Sequence, residues 1–461
     1  MSDIREFDVI VLGAGPAGEV CAGRLGKAGL SVALVEQELV GGECSYYACM
    51  PSKGLLRPAQ ALAEARRVPG AAQAAEGELD VPAALARRDE IIHDLDDTAQ
   101  LPWLRERGIE LFRGHAALDG ERRLRVGEQS LHARRAIVLA PGSRAEVPSI
   151  DGLHESEPWT NREATTAKAL PGSLLVLGGG VVAVELAQAY ASLGVRVTIV
   201  EAQERLIARE EDFASGLVRE SLQAGGVEVV LGAQGTAVRR EQDASGGRQV
   251  SLELEDGRIL NAQELLVAVG RRPHTDALGL ETVGIRPGGY VEVDDTLRVA
   301  GHEWLYAIGD ANGRVLLTHM GKYQARVAAD QILGRTVSLR SDGALAPRVI
   351  FTEPQVAAVG HTLASALKAG LSARAFDQPV DGTAGASFVG HGAPGSARIV
   401  VDRDRDVLVG ATFTGVEVAE WLHAATIAVI GEVPLDRLAH AVPCFPTRSE
   451  IWLELLEEAG R

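Results

Sequence analysis

The chain is poor in cysteine, methionine and aromatic residues, with four Cys, three Met, eight Phe, five Trp and six Tyr among 461 residues. So few cysteines exclude a disulfide-dense secreted scaffold. They point to a reducing compartment, the cytoplasm, where any disulfide is more often catalytic than structural. Long apolar runs are missing too: none reaches the roughly 18 residues that span a bilayer, so no membrane partner is expected. The opening MSDIREFDVIVLG does not read as a secretory leader, because acidic residues precede its apolar run and a glycine turn comes after it. Positive charge is in deficit, with 46 Lys and Arg against 63 Asp and Glu and a net charge of −17. Such a chain repels phosphate backbones, which excludes nucleic acid as a partner. A dinucleotide is still admissible, because local backbone amides hold it rather than net charge.

Glycine is plentiful, at 52 residues. Residues 8–36 read DVIVLGAGPAGEVCAGRLGKAGLSVALVE, and residues 173–201 read SLLVLGGGVVAVELAQAYASLGVRVTIVE. They align without gaps at an offset of 165. Each is an apolar run, a glycine cluster, an amphipathic stretch, a Gly, a second apolar run and a Glu, which predicts strand, tight turn, helix, turn and strand. Gly13 and Gly178 permit the tight turn. Gly15 and Gly180 let a pyrophosphate approach the backbone, and Gly18 and Ala183 let the helix lie close on the strand. The phosphates would then meet unpaired N–H groups at a helix N-terminus. Glu36 and Glu201 end the second strands, where a carboxylate accepts ribose hydroxyls and rejects a 2′-phosphate. Two fingerprints in register predict two bound dinucleotides. Glu201 favours NAD(H) over NADP(H) for the second, with Arg205 and Arg209 close enough in sequence to bear on that choice.

Three further segments, AIVLAPGSRAEVP (136–148), ELLVAVGRRP (264–273) and WLYAIGDAN (304–312), each read as a buried strand with a glycine exit. Asp310, at the end of the third, suits either a hydrogen bond to a polyol chain or an N-cap for the next helix.

Two of the four cysteines fall in GGECSYYACMPSK, residues 41–53. Cys44 and Cys49 admit three readings: two unrelated buried thiols, half a metal site, or a redox disulfide. A metal needs about four ligands, and Cys21 and Cys444 are remote in sequence, so no metal is expected. Cys21 falls within the first amphipathic stretch, where a small buried residue is the simpler reading. On a regular α-helix, residues five apart have Cα atoms about 8.7 Å apart, beyond the roughly 4.4–6.8 Å of a disulfide. The segment must be distorted if these two bond. Gly41 and Gly42 before it and Pro51 after it suit an irregular helix start. A thiolate near that start and Lys53 is expected to have a lowered pKa.

The segment resembles the G-G-x-C-x4-C-x-P-S-K run of the flavoprotein disulfide reductases, the class I pyridine nucleotide–disulfide oxidoreductases, which include lipoamide dehydrogenase, glutathione reductase and mercuric reductase. The resemblance covers nearly the whole chain: GGGVVAVELA resembles the family's NAD(P) turn, AIGDAN its second FAD contact, and RVIFTEPQVAAVGHT (348–362) the start of its dimerisation domain. It implies an enzyme with FAD on the first fingerprint and NAD(H) on the second. Cys49 would be the charge-transfer thiolate against the flavin, and Cys44 the outer thiol. Lys53 and Glu185 would be the pair beside flavin and nicotinamide. Gly42, Ala116, Gly142, Asp310 and Thr318, with Val238 and Gly270, join the cofactor-binding candidates. Electrons would pass from NADH through FAD to the Cys44–Cys49 disulfide, and on to a small-molecule or small-protein acceptor.

The family's C-terminus carries a His-Pro-Thr-x-x-Glu run, whose His serves the partner subunit's dithiol as acid and base. This chain reads HAVPCFPTRSEIW (440–452). Aligning Pro446, Thr447 and Glu450 puts Phe445 in the place of the His, so Glu450 has no imidazole to orient. Phe cannot move a proton, and a positioned acid–base group is worth about 10²–10⁴ in rate. His440 and Cys444 are candidate substitutes, although a buried small residue is the simpler reading of Cys444. Tyr46 and Tyr47, between the two cysteines, either narrow the way to the outer thiol, offer a flat stacking surface, or pack in the core. The reductive half therefore reads as complete, and the oxidative half as unusual. The alternatives are a quinone or diaphorase-type reductase working directly from the flavin, a lipoamide- or mercuric-reductase-like activity with a substitute base, and a flavin-bearing redox sensor.

The expected fold is α/β: two Rossmann-like dinucleotide-binding domains and a C-terminal α+β dimerisation domain, in a homodimer. The expected boundaries are 1–150 and 272–337 for the FAD domain, 151–271 for the NAD domain and 338–461 for the interface domain. SLRSDGALAP (338–347) reads as a linker, and residues 77–108 as helices inserted in the first FAD part.

Overall fold

A computed structural model describes residues 4–242 and 248–461. The chain divides into two compact units, each assembled from three stretches.

The first unit comprises Met1–Pro51, Asp89–Glu146 and Arg271–Gly343. Its centre is a seven-stranded sheet. Strands Ile109–Arg113, Val32–Glu36, Arg5–Leu12 and Gln129–Leu139 lie side by side in parallel, and Leu305–Ala307 pairs in parallel with the last of them. Arg123–Val126 and Ala116–Leu118 extend the sheet in antiparallel fashion. Val9, Ile10, Val11 and Leu12 are all buried, the continuous apolar run that a strand covered on both faces requires. The next element, helix Pro16–Lys27, has Pro in its first turn and buries Gly18, Cys21, Ala22 and Leu25. That i, i+3, i+4, i+7 spacing is one face of an α-helix. This face packs with helix Thr318–Ile332 in one apolar cluster. Of the helices in residues 77–108, Leu101–Glu106 falls in this unit, whereas Val81–Ile91 begins in the second unit and only its end falls in this one.

The second unit comprises Ser52–Arg88, Val147–Gly270 and Ala344–Arg461. It holds a parallel four-stranded sheet in the order Glu228–Leu231, Arg196–Glu201, Ser173–Leu177, Glu264–Val267, and an antiparallel three-stranded sheet. The chain after residue 344 adds a five-stranded antiparallel sheet with helices Leu422–Ile430 and Ile451–Glu458 against it. Phe413 is fully buried there, its ring edge-on to Trp452 with centroids 5.8 Å apart. This is the expected α/β class, with its C-terminal α+β sheet. No helix among the described residues is long and apolar enough to cross a membrane.

Candidate active site

The two glycine turns have corresponding backbones. Gly13 and Gly178 sit at φ +99° and +112°, and a Cβ on either would lie 2.1 Å from the Ala140 carbonyl oxygen or 2.5 Å from that of Ala268. Only glycine fits a left-handed position pressed on a neighbouring strand. A Cβ on Gly18 would lie 1.8 Å from the Gly13 carbonyl oxygen, so helix and turn touch there without a side chain between them. At Gly15 and Gly180, by contrast, a Cβ would meet nothing within 4 Å. Each of these two glycines is the residue before a twelve-residue helix. Open space over a helix N-terminus is what a dinucleotide pyrophosphate needs, so these residues fit the group. Gly42, at φ +58°, packs on the first turn: its Cβ would lie 2.7 Å from the Gly15 Cα.

The terminal acids also correspond. Glu36 accepts the Ala14 N–H at 2.7 Å and the Glu38 N–H at 2.8 Å. Glu201 accepts the Gly179 N–H, and the Gln203 N–H at 2.7 Å. Each acid thus ties its glycine turn to the end of its strand. Arg205 is engaged locally: it donates to the Glu210 and Ala208 carbonyls at 2.8 and 2.7 Å and pairs with Asp212 at 2.8 Å. Arg209 is exposed.

Cys44 lies in the short helix Gly42–Tyr46, and Cys49 begins the long helix Cys49–Arg67. Tyr47, at φ −130° and ψ −1°, breaks the helix between them, which is the distortion that the C-x4-C spacing demands. Both are in the thiol form in this structure, half-buried, and hydrogen-bonded to each other. The Cys49 Sγ lies 3.4 Å from the Thr318 hydroxyl. Cys44 departs from the expected lowered pKa. Its hydrogen bond to Cys49, its burial and the negative charge on Cys49 push its thiol up, against an opposing pull from Thr318 and Lys322.

Tyr46 is a core residue: it is buried, donates its hydroxyl to the Val40 carbonyl at 3.1 Å, and burial pushes its phenol up to about 12. Tyr47 remains half-buried beside it, with ring centroids 6.5 Å apart. Cys21 is fully buried, and burial pushes its thiol up to about 12.

Lys53 lies one turn after Cys49 on the same helix. Its Nζ reaches the buried Glu185 at 2.6 Å. The other Glu185 oxygen accepts the Phe351 N–H at 2.8 Å, and the Phe351 ring lies under the ammonium, 4.9 Å from its centroid. Asp310 is not an N-cap. It accepts from the Ser143 hydroxyl, and burial raises its pKa despite the neighbouring Arg271. Arg271 donates to the Ser143 hydroxyl and carbonyl, both at 2.7 Å, and reaches Glu43 at 3.4 Å. Gly142 and Gly270, both with positive φ, come just after the ends of Gln129–Leu139 and Glu264–Val267. Ala116 and Val238 are buried strand residues, and the Val238 N–H is taken by the Asp151 carbonyl. Phe351, Arg271 and Ser143 are absent from the sequence-based candidates, although each lies in a segment whose pattern marks it: 348–362, 264–273 and 136–148.

In the C-terminal segment Phe445 is 77% exposed, and Cys444 is exposed rather than buried. On the single chain, residues 441–447 form neither helix nor strand, and Cys444 is not covered by its own chain. His440 is exposed as well. Glu450 has one carboxylate oxygen buried without a hydrogen-bond partner among the described residues.

With this geometry in place, the comparisons define the class. Residues 7–330 match the pyridine nucleotide-disulphide oxidoreductase family, and residues 346–456 match its dimerisation domain. The chain belongs to that family of enzymes, which bind FAD and use NAD(P)H. The dimerisation domain supports a homodimer. Among relatives, the chain is 31% identical to a dihydrolipoyl dehydrogenase of Halobacterium salinarum over 98% of this chain and 96% of that one. It is 28% identical to a mercuric reductase of Staphylococcus aureus over 96% and 81%. Among solved structures, the HOCl-induced flavoprotein disulfide reductase RclA from Escherichia coli superposes with a TM-score of 0.85 at 26% identity, covering 98% of this chain and 99% of that one. One RclA structure with the same score is a Cu(II) complex.

Proposed function

We propose that this chain is an NADH-dependent flavoprotein reductase that passes electrons through Cys44 and Cys49 to an acceptor that requires no imidazole proton donor. The reading assigns the FAD domain to 1–150 and 272–337, the NAD domain to 151–271 and the interface domain to 338–461. The observation that carries it is the contrast between two places. Cys44, Cys49 and Thr318 form a bonded thiol cluster, whereas position 445 holds an exposed phenylalanine.

FAD, when bound, supplies the relay between a hydride donor and a two-electron thiol pair. The protein's own residues do the rest. The glycine turns hold the pyrophosphates. Lys53, fixed by Glu185, presents a cation on a rigid arm. Glu201, with Arg205 occupied by its own loop, favours the 2′-hydroxyl of NADH over a 2′-phosphate. Cys44 keeps a proton and is the thiol that meets the acceptor.

A soft metal ion as acceptor has specific support, because one relative is a mercuric reductase and a structural neighbour was solved with Cu(II). Delivering electrons to a metal ion needs no proton at a leaving thiolate, which suits Phe445. The test is anaerobically NADH-reduced protein offered lipoamide, glutathione disulfide, a quinone, Cu(II) and Hg(II), with reoxidation monitored at the flavin. Cys44→Ser should abolish the productive reaction. Activity retained with a quinone alone would identify a diaphorase in which the thiols are idle. Phe445→His should raise lipoamide turnover by about 10²-fold, and brisk wild-type turnover of lipoamide would defeat the reading.

A further inference from the structure

Gln324 lies on helix Thr318–Ile332 and is fully buried. A polar side chain in that position is held by its hydrogen bonds. Its Oε1 accepts the Gly309 N–H at 2.8 Å and the Asn312 Nδ2 at 2.9 Å. Asn312 cannot turn its amide round: Nδ2 also donates to the Ala307 carbonyl at 3.0 Å, and Oδ1 accepts the Arg314 N–H at 3.1 Å. The orientation of Gln324 follows, with its oxygen towards these two donors and its Nε2 away from them. That Nε2 is buried and has no hydrogen-bond partner among the described residues. A methionine of similar shape would leave no unpaired amide, but it would strip the Gly309 N–H of its acceptor.

The two residues that Gln324 holds are the ends of a single 3-10 turn, Gly309–Asn312, which contains Asp310 and comes just after strand Leu305–Ala307. Such a turn has few bonds of its own and depends on outside partners. It also touches the first phosphate cradle. A Cβ on Gly309 would lie 3.3 Å from the Ala17 Cβ, and a Cβ on Gly321 would lie 3.3 Å from the same atom and from the Gly309 Cα. Ala17 is the second residue of helix Pro16–Lys27. The turn, the helix that carries Gln324 and the start of the phosphate-binding helix therefore meet through small residues, and the Gln324 amide is the polar tie that fixes the turn against them.

We propose that Gln324 is the positioning residue that holds the Gly309–Asn312 turn in the shape that presents Asp310 to FAD, so that the cofactor is retained. Gln324 touches no reacting atom, forms no covalent bond and carries no electron. The proposal concerns cofactor retention in a family that binds FAD. It is independent of the electron acceptor, so its failure would leave the proposed function in place.

The test follows flavin release from diluted holoprotein as the recovery of flavin fluorescence, with far-ultraviolet circular dichroism recorded alongside. Gln324→Met, which fills the space of the amide and removes its oxygen, should release flavin about tenfold faster than wild type. Asn312→Ala should act in the same direction. Because the two residues act through one bond, the double variant should stay within about twofold of the faster single variant. The helical signal should hold during release, since the turn loosens while the sheet and helices remain. A release rate in Gln324→Met within about twofold of wild type overturns the proposal. A double variant whose acceleration is the product of the two single ones also overturns it. So does a helical signal lost in step with the flavin, because general unfolding would then be the cause. If Gln324→Met does not accumulate as folded holoprotein, Gln324→Asn, whose amide falls one methylene short of both donors, is held to the same outcomes.

Discussion

The two glycine turns share one backbone design and differ in a few side chains, and the differences show where each is specialised. At the third fingerprint position the first turn has Gly18, where a Cβ would lie 1.8 Å from a carbonyl oxygen. The second has Ala183, whose Cβ is accommodated and fully buried. The helix therefore lies closer to its turn in the first unit than in the second. The acids on the two helices are also offset. Glu19 corresponds at the offset of 165 to the buried Val184, and Glu185 corresponds to Val20. One residue is about 100° around an α-helix. That single step turns Glu185 to Lys53 at 2.6 Å, whereas Glu19 faces Lys322 and Glu36. A shared motif fixes the phosphate cradle, and the position next to it is free to acquire chemistry.

Breaking the comparison at the third glycine should give the largest effect. Gly18→Ala is expected to yield protein without flavin colour, as seen in the absorption spectrum after purification. Ala183→Gly should cost about 1 kcal/mol in thermal unfolding and still bind NADH. Next comes the displaced acid. Glu185→Gln leaves Lys53 without its carboxylate and should destabilise the protein by about 2–3 kcal/mol in denaturant unfolding. That is less than a fully buried pair would lose, because Lys53 reaches solvent. A loss below about 0.5 kcal/mol would mean that the Phe351 ring alone holds the ammonium.

The smallest effect should come from Glu19, whose carboxyl is pushed up to about 7 by burial and by Glu36, with Lys322 opposing. A raised carboxyl favours the protonated form in the folded state. Its contribution is therefore full below its ordinary range, near 4.5, and is lost as the pH rises towards 7. Glu19→Gln mimics the protonated form, so it should raise the melting temperature by about 2–4 °C at pH 8 and hardly change it at pH 5. Equal gains at both pH values would show that Glu19 does not titrate in this range.

Much of the cradle was legible in the sequence, because it is local: a strand, a turn and a helix within thirty residues, punctuated by glycines whose spacing has a steric cause. The fold class emerged from that repeat and from the alternation of apolar runs. What could not be read was tertiary. Phe351 meets Glu185 across 166 residues of chain, and Arg271 meets Ser143 across 128, and neither pairing has a periodicity to betray it. Cys444 was misread for a related reason. A small thiol suggests burial only if something packs on it, and whether its irregular segment would be covered is not a property of the residue. Tyr46 shows the converse: it is buried and its hydroxyl finds the Val40 carbonyl six residues before it, a local partner that no apolar periodicity marks.

The terminal segment has a practical consequence. Val442, Phe445 and Ile427 are 78, 77 and 58% exposed on the single chain, within the region matching the dimerisation domain. Large apolar side chains left in water promote clumping and adsorption to surfaces. Specific activity should therefore fall when stocks are diluted into assays at nanomolar strength, and a carrier protein or a pre-warmed concentrated stock would change the number obtained. Storage concentration becomes a variable to control before any two preparations of this protein are compared.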